Sequence, residues 1–80
     1  MEQQVDFNNY KVVVLINNNE IIVKNLSNYD FIDIVNNAPC LVCTGILNNS
    51  WIDLTINNAN IVYIRELFDG EKRIVRQLDK

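Results

Sequence analysis

The sequence predicts a mainly β (α+β) fold: five to six short antiparallel strands forming a small barrel or a curved sheet, with one short helix, about residues 28–36, after the second strand. Asparagine clusters at Asn8-Asn9, Asn17-Asn18-Asn19, Asn36-Asn37, Asn48-Asn49 and Asn57-Asn58 close most of the apolar runs. Asn tolerates left-handed backbone and bonds its own main chain, so such clusters read as turns. The runs between them are short and rich in Val and Ile, as strands are. One stretch, residues 26–37, carries helix-start chemistry instead.

In chain order, residues 1–9 lack periodicity and read as a flexible N-terminal arm, and residues 10–80 as a single small β-rich domain. Tyr10 to Ile16 is apolar on both faces, as a strand buried from both sides would be. After the Asn triplet, Glu20 to Asn25 alternates and pairs back as a hairpin. Ser27 can cap a helix, with Asp30 three residues on and Leu26 and Phe31 placed as a hydrophobic staple; Pro39 forbids continuation. Cys40 to Leu47 is a third strand, and its Gly45 suggests a bend or bulge. In Trp51 to Ile56 the alternation sends Ile52, Leu54 and Ile56 to the core and Trp51, Asp53 and Thr55 outward. Ile61 to Phe68 makes a fifth strand. Asp69-Gly70 is a hairpin signal, so Glu71 to Leu78 reads as a sixth strand, although Glu71, Lys72, Arg73, Arg76, Gln77 and Leu78 are all good helix formers.

Composition bounds the function. An 80-residue chain has room for one core, and 49% apolar residues exceed what so small a core can cover, which points to a homodimer, a higher closed oligomer or another protein partner. The longest apolar run, Val12 to Ile16, is far too short for a membrane helix, and Met1-Glu2-Gln3-Gln4 has no signal-peptide pattern, so a cytoplasmic protein with no membrane role is expected. Heavy use of Asn and Ile suggests a low-GC bacterium or its phage. The chain is acidic, with net charge −3. Lys11 and Lys24 are the only cations before residue 65, whereas Arg65, Lys72, Arg73, Arg76 and Lys80 fall in the last sixteen positions, so any phosphate-binding surface must be built there.

The segments Thr44-Gly45-Ile46, Trp51-Ile52-Asp53-Leu54 and Asn60-Ile61-Val62-Tyr63-Ile64 together resemble the middle strands of small Sm-like or SH3-like β-barrels. That resemblance implies a barrel fold and admits nucleic-acid binding. The Sm family places its helix before the first strand, whereas the helix candidate here follows the second, and no family binding residue carries over.

Catalytic and metal chemistry find little support. Cys40-Leu41-Val42-Cys43 lies in a strand, where residues three apart are about 10 Å apart on opposite faces, beyond the roughly 7 Å limit for a disulfide. With no His, one chain cannot complete a tetrahedral Cys/His zinc site. Asp30 and Asp33 share a helix face, where negative charge near the N-terminus serves the dipole. No enzyme activity, cofactor or metal is expected. The leading expectation is a non-catalytic interaction protein, such as a phage or mobile-element regulator that inhibits a host (for instance host-defence) protein, with Trp51, Asp53 and Thr55 as its interface. A nucleic-acid-binding small barrel would instead use Tyr63, Arg65, Lys72, Arg73 and Arg76, with Tyr63 or Phe68 as a stacking platform. A third expectation is an oligomer that binds a small nucleotide-like ligand.

Overall fold

The computed structural model describes residues 6–24 and 39–79. The helix expected over about 28–36, with Ser27, Asp30 and Asp33, lies outside the described residues. Among the described residues, five strands, β1 (Tyr10–Leu15), β2 (Glu20–Lys24), β3 (Cys40–Leu47), β4 (Ser50–Asn57) and β5 (Ile61–Arg65), precede one helix, α1 (Asp69–Leu78). Every pairing is antiparallel, and the order across the single sheet is β4-β3-β2-β1-β5. The protein is therefore mainly β, with β1 in the sheet interior as its two-faced apolar sequence requires and with β4 and β5 at the edges.

Asparagine shapes the turns. Asn48 and Asn49 both have positive φ, 53° and 65°, which makes the two-residue primed turn that matches strand twist and joins Leu47 to Ser50. Asn18, at φ 67°, turns β1 into β2, where the Asn17 side chain accepts from the Asn19 amide at 3.1 Å. Asp6 and Asn57 do the same for the amides of Asn8 and Ala59, at the starts of the short 3-10 turns Phe7–Asn9 and Asn58–Asn60.

The C-terminal segment is a helix, so the expected sixth strand over 71–78 is corrected, as is the extension of the fifth strand beyond Arg65. Asp69-Gly70 forms the first turn of α1 rather than a hairpin tip. The reason is local: the Glu71 carboxylate reaches back to accept the Phe68 amide at 2.8 Å, while the Glu71 amide donates to the Phe68 carbonyl at 3.0 Å, closing a helix start. Good helix formers then carry the chain on, with acidic residues in the first turn and Arg76 in the last.

Apolar side chains pack on both sides of the sheet. Beneath α1, Tyr10, Val12 and Val14 of β1 meet Leu67 and Val75, with Phe7, Ile22 and Trp51 at the margin. On the other side Val13, Val23, Leu41, Cys43, Ile56 and Ile61 form the second core. Val12, Val13, Val23 and Val75 are fully buried, each contributing about 1.5–3 kcal/mol of transfer free energy.

The sheet must be strongly coiled. β4 and β5 are opposite edges, about 19 Å apart if five strands lay flat at 4.8 Å spacing. Only Asn58–Asn60 joins them, and a 3-10 turn advances about 2 Å per residue. The edges therefore meet at this corner, where Ile56 and Ile61 share one core and the Ile16 amide bonds the Asn60 carbonyl at 2.9 Å. No strand pairing closes β4 to β5 among the described residues, so the curved-sheet form of the expectation is the one found. Gly45 does not mark a bulge: β3 and β4 pair in unbroken register through it. A Cβ there would sit 2.6 Å from Leu54 Cδ1, 3.0 Å from Ile21 Cγ2 and 3.3 Å from the Ile22 carbonyl oxygen, so a side chain at this position requires its neighbours to shift. The bulge lies instead between Val14 and Leu15, where β1 pairs with β5.

Candidate functional site

Two surfaces gather the residues singled out from the sequence. The first is the β5 end of the helix-bearing face. Tyr63 and Arg65 pair with Val14 and Val12, so both project on the α1 side. The Arg65 guanidinium donates to both Glu71 oxygens, at 2.8 and 2.9 Å, to Glu20 at 3.2 Å and to the Glu66 carbonyl at 3.0 Å. It thereby ties β5 to β2 and to the first turn of α1. These bonds to Glu71 raise the guanidinium pKa, and the same bonds, helped by the Phe68 amide, hold the Glu71 carboxyl below its ordinary value. The upper face of Arg65 carries Phe68, with the ring centroid 3.9 Å from Cζ. Phe68 is nevertheless 63% exposed and Tyr63 44%. Two aromatic rings thus stand at the surface, one of them held in place by a guanidinium whose hydrogen bonds all lie within the chain.

Lys72, Arg73 and Arg76 of α1 do not join this network. None makes an ion pair among the described residues, whereas Lys11, Lys24 and Arg65 all do. Lys72 Nζ and Arg76 Cζ lie 5.5 and 5.0 Å from the Phe7 ring, one helical turn apart on α1. Phe7 was not singled out from the sequence; it stands outside any periodic run, and only its contact with the β1 and α1 core reveals its place.

The second surface is β4. Trp51 shares the face of Asp53 and Thr55 and is half-buried there: its ring lies 6.0 Å from that of Tyr10, with Lys24 Nζ over it at 4.2 Å. Its indole N–H is buried with no acceptor among the described residues. Asp53 and Thr55 are exposed as expected, with Thr44 donating to Asp53 at 3.4 Å. On the opposite face Ile56 is buried and Leu54 half-buried, but Ile52 is 39% exposed, so the second core does not fully cover β4.

Beside Trp51, the Tyr10 hydroxyl donates to Asp79, which also accepts an ion pair from Lys24 at 3.7 Å. Burial first, then this hydrogen bond to a carboxylate, pushes the Tyr10 pKa up from 10 to about 12. The cluster pins the C-terminal end of α1 onto β1 and β2. Cys40 and Cys43 are free thiols with opposite orientations in β3, and burial raises the Cys43 pKa. Among the described residues no group of three or more His, Cys, Asp or Glu could hold a metal ion, and no helix is long and apolar enough to cross a membrane.

No protein-family model matches the chain, and no characterised protein or solved structure was found similar to it.

Proposed function

We propose that the chain is a non-catalytic interaction domain that binds another protein through the Tyr63–Phe68 surface. The observation that carries this reading is Phe68, a large aromatic exposed to solvent yet stacked over Arg65. A ring restrained by stacking has less entropy to lose on contact, and large aromatics are frequent energetic centres of interfaces. The perturbed groups support a non-catalytic role: Arg65 and Glu71 bond each other, Tyr10 bonds Asp79, and Cys43 is turned into the core.

A second reading, nucleic-acid binding, is favoured by one observation: the cations of α1, Lys72, Arg73 and Arg76, lack carboxylate partners among the described residues and lie on the element next to Phe68. The overall charge of −3 opposes it. Native mass spectrometry of the chain purified from its own host separates the two. The expected result is a co-purifying protein, retained by the wild type and lost from a Tyr63→Ser, Phe68→Ser variant of unchanged circular dichroism. Retained RNA or DNA would transfer the surface to the second reading, and a bare chain would contradict both.

A further inference from the structure

The β4 edge is self-complementary, and we infer that two copies of this chain pair antiparallel through it, with Leu54 on the two-fold axis. This inference is independent of the Tyr63–Phe68 reading, because it concerns the opposite edge of the sheet and needs no other partner.

The backbone sets the terms. Leu47 and Ser50 close a two-residue hairpin and so form a hydrogen-bonded pair, from which pairing alternates along the ladder. Ile52, Leu54 and Ile56 direct their amides and carbonyls to β3. Trp51, Asp53 and Thr55, with Asn57 at the strand end, direct theirs outward, where no strand meets them among the described residues. Few of the usual protections of an edge are present: β4 has no Pro and no Lys, is eight residues long, has no bulge in its pairing with β3, and carries the single charge of Asp53.

Symmetry then limits the register. Side chains directly opposite each other in an antiparallel pair share a face, so a two-fold axis perpendicular to the sheet must pass through a residue position. Placing Asp53 on the axis sets two carboxylates directly opposite, with Cβ atoms about 5 Å apart, which is destabilising. Placing Ile52 or Thr55 there shortens the overlap. With Leu54 on the axis, Trp51, Asp53, Thr55 and Asn57 each face an outward-directed residue of the second copy. Asp53 then lies opposite the partner's Thr55, whose hydroxyl can donate to the carboxylate. Leu54 meets its own copy, and the exposed Ile52 meets the partner's Ile56, covering the apolar surface that the second core leaves open. Charge rules out the Asp53 register and overlap the outer ones, while backbone direction and the apolar pattern are both satisfied with Leu54 on the axis.

Two measurements on the purified chain test this. The wild type should sediment at twice the 9.3 kDa chain mass at tens of micromolar. Thr55→Pro removes an outward N–H and no bond to β3, so it should keep the fold by circular dichroism and raise the dimer dissociation constant about tenfold or more. For the register, Asp53→Cys and Thr55→Cys chains are oxidised separately and mixed, with the wild type as baseline for Cys40 and Cys43. Positions 53 and 55 of opposite copies are within disulfide reach, whereas each position lies about 8 Å from its own copy. Disulfide dimers formed mainly in the mixture support the inference. Dimers of the Asp53→Cys chain alone overturn the register, a dimer with no cross-link in any sample overturns the use of β4, and a monomer mass overturns the pairing itself.

Discussion

Single residues account for most of the turns. Asn48 and Asn49 adopt left-handed backbone because their short polar side chains tolerate it, and this preference is local, which is why the turn was legible from sequence. Replacing Asn49 with Val should cost about 1–2 kcal/mol, since a β-branched side chain is strained at φ 65°, while Asn49→Gly should be neutral or stabilising. Chemical denaturation of the two variants checks this. Arg65 is the contrary case. Its partners Glu20 and Glu71 come from different elements, so its place as a tie between β2, β5 and α1 was not legible in the sequence. Tyr10 and Glu71 make stability depend on pH at the alkaline and acid ends respectively. Tyr10 has a raised folded pKa, so its contribution is complete below pH 10 and is lost as pH rises from 10 toward 12. Glu71 has a lowered one, so its contribution is complete above its ordinary value of about 4.5 and is lost as pH falls through the folded value. Thermal melts across pH should show both losses, with Tyr10→Phe reducing the alkaline one, to which the buried Cys43 thiol also contributes, and Glu71→Gln reducing the acid one.

At the scale of elements, strand positions were legible and the C-terminal segment was not. Strand alternation and Asn punctuation are periodic signals, and the boundaries of β1, β3 and β4 follow them closely. The dipeptide Asp69-Gly70 fits both a hairpin and a helix start; what decides is Glu71 reaching back to Phe68, together with a helix face that places Val75 on Val12 and Val14. The two glycines separate these influences. Gly70 has open space where a Cβ would stand and no positive φ, so Gly70→Ala should stabilise the protein by about 0.4–1 kcal/mol through helix propensity and a less disordered unfolded chain. Gly45→Ala should destabilise it by about 1–3 kcal/mol, because the added methyl would overlap Leu54 and Ile21 in the coiled core. Paired denaturation curves with opposite shifts check both.

For the whole molecule, the governing feature is a five-stranded sheet coiled until its edges meet at Asn58–Asn60, with no further strand paired along them among the described residues. The apolar surplus read from composition corresponds to real exposed side chains, among them Val42, Ile52, Tyr63 and Phe68. Which edge such a surplus would serve could not be read from composition, because edge position depends on strand order, and strand order depends on the three-residue corner. Trp51 shows the same limit: alternation placed it on the correct face, but only the coil and the docking of α1 bring Tyr10 and Lys24 against it. The central claim is that β4 is an open edge completed by a second copy, and amide hydrogen exchange along β4 at two protein concentrations tests it most directly. The amides of Ile52, Leu54 and Ile56 should be protected at both, since they bond β3. Those of Asp53 and Thr55 should exchange fast in dilute solution and slowly in concentrated solution. Asp53 and Thr55 amides that exchange at one rate regardless of concentration would contradict the account.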